Sequence, residues 1–143
     1  MANSDEDTEL SDRLFAHAKG LVNQGILPFP ATTLELENIA CADKVSISVL
    51  TEDGKIAMSA CEAKGCFICK VSASIVTTQI KGLRVEEALS ELKSFRDTFV
   101  RGAGEIQESE LSLLLQFKNY PVRTKCVLLA FDVAERLLGE GGS

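Results

Sequence analysis

The sequence predicts an α+β domain in which a small antiparallel sheet comes first and helices follow and pack on it. Three observations carry this. Between residues 34 and 60 apolar and polar side chains alternate with the period of a strand, and the run is divided by Asp53-Gly54. From Ile68 onward the apolar spacing widens to that of a helix. No internal repeat and no linker divides the 143 residues, a length that buries a core without disulfide staples.

Residues 1–8 (MANSDEDT) have the composition of a solvated tail. A first helix is expected over 9–23, with Leu10, Leu14, Leu21 and Val22 at helical spacing and Thr8 or Ser11 as cap. Gly25 and Pro28-Phe29-Pro30 break it. Leu34 and Leu36 then alternate with Glu35 and Glu37, and Val45, Ile47 and Val49 with Ser46 and Ser48. After the Asp-Gly turn come Ile56, Met58 and Ala60, with Met58 assigned to the core, so three antiparallel strands are expected.

Ile68, Val71, Ile75 and Gln79 trace the next helix, which Gly82 ends. Another runs over 84–100, with Val85, Ala88, Leu89, Leu92, Phe95 and Phe99 inward and Glu86, Glu87, Glu91 and Lys93 outward. A short apolar helix is expected over 108–117 around Leu111, Leu113, Leu114 and Leu115, and Tyr120-Pro121 interrupts it. The last helix spans 123–138 and buries Ala130, Phe131, Ala134, Leu137 and Leu138. The domain is therefore expected to cover 9–138, with a flexible tail at 139–143.

Composition narrows the function. Apolar residues are 45% and charged residues 25% of the chain, which excludes wholesale disorder. The net charge is −6, from 21 acidic and 15 basic residues, and argues against a protein that clamps nucleic-acid phosphates. No apolar run is long enough to span a bilayer, and Met1 to Glu9 is acidic where a targeting segment is basic and apolar, so no membrane partner and a cytoplasmic location are expected. Nothing matches a Ser-His-Asp set, a phosphate-binding loop or a dinucleotide fingerprint; Gly102-Ala103-Gly104 follows a helix, not a strand. His17 stands alone on a charged helix and is read as surface.

The five cysteines carry the chemical signal. Their number is odd and no export signal accompanies them, so reduced thiols are expected. Cys41 and Asp43 sit in Ala40-Cys41-Ala42-Asp43 at a strand end, where a tight turn lets residues two apart aim at one point. Cys66 follows Gly65 at a strand-to-helix transition, and Cys126 opens the last helix behind Arg123 and Lys125. The positive end of a helix dipole favours a thiolate at both places. Three thiolates and a carboxylate make a tetrahedral set for Zn²⁺ or one edge of an iron–sulfur cluster. Spacing alone leaves this open against scattered buried cysteines. Cys61, Cys66 and Cys69 also have the spacing of a ferredoxin cluster loop, but Phe67 and Ile68 begin an apolar helix where such a loop needs Gly and Ser. Cys69 is then either a bystander or a resolving thiol for a persulfide on Cys66.

Together, Cys41-Ala42-Asp43, Gly65-Cys66, Val71-Ser72-Ala73-Ser74, Lys81-Gly82 and Pro121-Val122-Arg123-Thr124-Lys125-Cys126 resemble the IscU/NifU-N/SufU family of iron–sulfur cluster assembly proteins over residues 10–138. Lys125, in place of the histidine usual in IscU, and a longer stretch around 101–108 are similar to the SufU branch. Ala42 stands where the family has glycine. The histidine-containing N-terminal run of the family is reduced to His17-Ala18-Lys19-Gly20-Leu21-Val22-Asn23, and the chaperone signal of IscU to Tyr120-Pro121-Val122-Arg123, so Hsp70 docking is not expected.

The resemblance implies a SufE/NifU-like fold and a zinc ion held by Cys41, Asp43, Cys66 and Cys126. It implies sulfur acceptance from a PLP-dependent cysteine desulfurase of SufS type, with Cys41 as first acceptor and Cys126 as the alternative. Apo iron–sulfur proteins or other Suf components would receive the sulfur. Arg123 and Lys125 either stabilise the anionic persulfide or the partner, or are solvated surface charge. An IscU-like role implies instead Fe²⁺ or a transient [2Fe–2S] cluster on the same ligands. A module with a purely structural zinc is the third reading.

Overall fold

The computed structural model describes residues 25–38, 42–101, 114 and 121–141. The expected first helix, most of the short helix at 108–117, Cys41 and His17 lie outside the described residues, as does the Arg123 side chain. Among the described residues three strands precede three helices: β1 (Thr32–Asn38), β2 (Asp43–Glu52), β3 (Lys55–Lys64), α1 (Phe67–Ile80), α2 (Val85–Arg101) and α3 (Pro121–Gly141). The α+β architecture expected from the sequence is what forms.

The sheet is a meander in the order β1-β2-β3, antiparallel throughout. Leu34 pairs with Ile47 and Leu36 with Val45, while Ile47 pairs with Cys61 and Val45 with Ala63. These residues share the face that the helices cover. Asp53 (φ 52°) and Gly54 (φ 79°) both adopt left-handed backbone, as a two-residue hairpin turn requires. On the other face Ser46 donates to Glu35 at 2.7 Å, and Ser48 shares a hydrogen bond with Thr33 at 2.9 Å.

One strand position departs from the simple alternation. The β2–β3 register slips between Leu50 and Thr51, so Met58 pairs with Leu50 while Ile56 pairs with Thr51. The extra residue turns the pattern over: Ile56 is fully buried on the helix-covered face, and Met58, assigned to the core from the sequence, is 47% exposed.

α1 lies over β3 and against α3, and α3 crosses β1 and β2. Ten of the fourteen residues of α1 are buried, from Ile68 to Ile80 and including Ser72, Ser74 and Thr77. The sequence predicts one apolar stripe, yet the helix is enclosed on nearly every side. Its hydroxyls allow this, because each finds an acceptor: Ser72 donates to the Val127 carbonyl at 2.6 Å and Thr77 to that of Ala73 at 2.9 Å. Ser59 of β3 donates to the Thr77 carbonyl at 2.6 Å, fixing helix to sheet.

α2 is amphipathic as expected, with Val85, Ala88, Leu92, Phe95 and Phe99 buried. Phe95 stacks on Phe131 of α3 at 4.7 Å between ring centres. Arg96 binds Asp132 at 2.6 Å and Glu135 at 3.1 Å, and so clamps the same two helices at their rim. α3 begins at Pro121, earlier than the expected start at 123. Proline has no N–H to lose in a first turn, so it is suited to open this helix. The helix also continues to Gly141, through the first three positions assigned to the tail. No described helix is long and apolar enough to cross a membrane.

Candidate metal centre

Three elements meet at one end of the sheet: the start of β2, the β3–α1 junction and the second turn of α3. They bring together Asp43, Cys66 and Cys126, one ligand atom from each lying within 4.8 Å of the others. Asp43 is the first residue of β2 and has no exposed surface. Cys66 is half-buried and Cys126 is 6% exposed, so Cys66 is the accessible member of the described trio.

Cys66 occupies the N-cap of α1 with extended backbone (φ −75°, ψ 162°). Its sulfur accepts the Cys69 N–H at 3.4 Å, taking the place usually held by a serine or aspartate oxygen. Its own backbone N–H donates to Asp43 Oδ1 at 2.9 Å, and its thiol reaches Asp43 Oδ2 at 3.7 Å. Gly65 makes this approach possible. Its φ of +126° is one that side chains rarely adopt, and a Cβ there would fall on the Asp43 carboxylate and 2.9 Å from its Cα.

Cys126 departs from the expected electrostatics. It is the sixth residue of α3, beyond the unpaired N–H groups of the first turn. Its thiol is pushed far above the ordinary 9.0, first by burial, then by hydrogen bonds to Cys66 and Asp43 and by the negative charge of both. The dipole-favoured thiolate expected at Cys126 is therefore corrected: burial and two acidic neighbours hold its thiol protonated. A divalent cation inverts that balance, because it attracts what the three groups repel in one another. Zinc bonds of about 2.3 Å to sulfur and 2.0–2.2 Å to oxygen place tetrahedral donors roughly 3.5–4 Å apart. The trio fits such an ion with a small contraction.

The remaining cysteines sort by position. Cys61 is fully buried on β3, accepts from Thr77 at 3.7 Å, and has its thiol pushed up chiefly by burial. It faces the core, so the ferredoxin-like spacing does not describe a cluster loop. Cys69 is fully buried one turn behind Cys66. Lys125 is exposed beside Cys126. Two roles that sequence reasoning did not assign shape the site: that of Gly65 through its missing Cβ, and that of Cys69 through its N–H. The signal was present as a glycine placed directly before a helix-capping cysteine.

The NifU-like N terminal domain family model matches residues 10–127. Among curated relatives, the iron-sulfur cluster assembly scaffold protein IscU of Thermotoga maritima is 31% identical over 90% of this chain and 91% of its own. The zinc-dependent sulfurtransferase SufU of Bacillus subtilis is 28% identical over 99% of this chain and 98% of its own. The crystal structure of a putative iron-sulfur cluster assembly scaffold protein for the SUF system from Fervidobacterium islandicum superposes with a TM-score of 0.79 at 27% identity, covering 89% of this chain and 94% of that one. A NifU-like protein (N-terminal) from Brucella abortus shares the fold at 20% identity, with a TM-score of 0.75 over 87% of this chain and 88% of that one. With a buried carboxylate and two cysteines gathered at the sheet end, the chain belongs to the NifU-like N-terminal domain family of iron–sulfur cluster assembly proteins.

Proposed function

We propose that this protein is a zinc-dependent sulfur acceptor that takes persulfide sulfur from a PLP-dependent cysteine desulfurase of SufS type and passes it toward iron–sulfur assembly. The observation that carries the reading is the convergence of Asp43, Cys66 and Cys126; the proposal adds Cys41, two positions before Asp43 in the sequence, as the fourth donor. Similarity to the Bacillus SufU over 99% of the chain supports zinc as the ion. When bound, zinc keeps the thiols deprotonated near neutral pH.

The chain's own residues do the rest. An accepting thiolate attacks the terminal sulfur of the desulfurase persulfide; a new S–S bond forms, the old one breaks, and the desulfurase thiolate leaves. Cys41 is the first choice for that acceptor and Cys126 the alternative. Lys125, exposed next to Cys126, and Arg123 supply cations for the anionic persulfide or for acidic groups of the partner. Asp43, buried and held by the Cys66 N–H, orients the site without being consumed.

A second reading, a scaffold building a transient [2Fe–2S] cluster on the same ligands, is favoured by the 31% identity to IscU. Purification without oxygen followed by metal and acid-labile sulfide analysis separates the two. One zinc per chain with no sulfide is expected; visible-absorbing iron with stoichiometric sulfide overturns zinc transfer in favour of the scaffold. Zinc without any stimulation of a cysteine desulfurase leaves a structural metal. Cys41→Ala should abolish stimulation, and unchanged stimulation would reassign the acceptor.

A further inference from the structure

Sulfur delivered as a persulfide is at the wrong oxidation level for a sulfide-containing product: the sulfane sulfur needs two electrons before it leaves as sulfide. The chain carries those electrons beside the site. Cys66-Phe67-Ile68-Cys69 is a C-x-x-C pair on the first turn of α1. Cys66 at the N-cap is half-buried and open to a donor, whereas Cys69 has no exposed surface. Its N–H holds the Cys66 sulfur at 3.4 Å from its own backbone nitrogen. Residues three apart on a helical turn lie within about 6 Å, a span that disulfides bridge.

We propose that Cys69 is the resolving thiol of a persulfide on Cys66, so that the protein releases sulfide with its own two electrons. The inference rests on the reading above that sulfur enters this site. Sulfur arrives on Cys66 from the donor directly, or from a persulfide on Cys126, whose ligand atom lies within 4.8 Å of that of Cys66. The Cys69 thiolate then attacks the inner sulfur of Cys66–S–SH. The Cys66–Cys69 disulfide forms, the bond to the outer sulfur breaks, and hydrosulfide leaves with the electron pair and takes up the proton that Cys69 gave. The dithiol is oxidised and the sulfane sulfur reduced, in one-to-one balance. An external dithiol resets the pair by exchange.

Burial gives the step its order. A thiol with no exposed surface is shielded from donors in solution, and the N-cap sulfur three residues before it, which its own N–H holds, is the electrophile assigned to it. Cys61 does not compete: its sulfur accepts from Thr77 on the β3 side of α1, within the core.

The test treats the reduced, full-length protein with one equivalent of glutathione persulfide without oxygen. Released sulfide, intact mass and peptide maps are followed together. The expected result is close to one sulfide per chain, with a loss of about 2 Da traced to a Cys66–Cys69 cross-link. Cys69→Ala should keep a gain of about 32 Da on Cys66 and release sulfide at least tenfold more slowly, with zinc stoichiometry unchanged. Cys69→Ser, nearer in size and polarity, should behave the same way. A wild-type protein that holds its added sulfur on Cys66 as long as the variants do overturns the resolving role while leaving sulfur acceptance standing. If none of the proteins gains sulfur on any cysteine, the acceptor reading falls and this inference falls with it.

Discussion

Asp43 Oδ1 accepts the backbone N–H of Cys66 at 2.9 Å, across 23 residues of chain. That bond ties the first residue of β2 to the cap of α1, and makes the corner between sheet and helix and the candidate metal centre one structure. Whatever disturbs the corner disturbs both.

Replacing Gly65 tests that coupling. Gly65→Ala forces a side chain into left-handed backbone and onto the Asp43 carboxylate. A loss of about 2–4 kcal/mol in unfolding free energy is expected, measured by urea denaturation. Zinc retention in chelator competition should fall in parallel.

Asp43→Asn separates charge from shape. The amide oxygen still accepts the Cys66 N–H, so the fold should survive, but the anionic donor is gone. Zinc affinity should drop at least about tenfold against a competing chelator, with the secondary structure unchanged by circular dichroism.

Ala42 sits in left-handed backbone (φ 58°) directly before Asp43. Such a conformation disfavours any residue with a Cβ, and glycine relieves it. Ala42→Gly should raise stability by up to about 1 kcal/mol, partly offset by the looser unfolded chain, as read from the urea midpoint.

Cys61 gives stability an alkaline limit. Its folded thiol is held above the ordinary 9.0, first by burial and less by nearby Glu62. Its contribution is therefore fully present below about pH 9 and is lost as pH climbs toward the folded value, at up to about 1.4 kcal/mol per pH unit. Cys61→Ala should make the decline of unfolding free energy shallower above pH 9, in titrated melts of zinc-free protein. A slope identical to wild type would remove Cys61 from the account.

Much of this was legible in the chain because local patterns carried it. The alternation around Val45, Ile47 and Val49 and the Asp53-Gly54 turn specified the hairpin, and the Phe95/Phe99 face specified α2. What stayed hidden depended on contacts between distant segments. A single bulge turned Met58 outward, and no local pattern announces an inserted residue. The enclosure of α1 by β3 and α3 is invisible to periodicity, since Ser72, Ser74 and Thr77 read as polar until their acceptors appear. In the candidate metal centre, residue types and order pointed to Asp43, Cys66 and Cys126. The reversal at Cys126 arose from acidic neighbours supplied by two other elements. Cys41 and the Arg123 side chain lie outside the described residues, and their roles rest on the proposal.

A helix surrounded as α1 is has no slack to lend. It behaves as a fixed post whose tip happens to be a sulfur atom, and any tilt would have to move the sheet and α3 with it. The sulfur of Cys66 therefore inherits the rigidity of the core beneath it, and a substitution made along the post would be felt there.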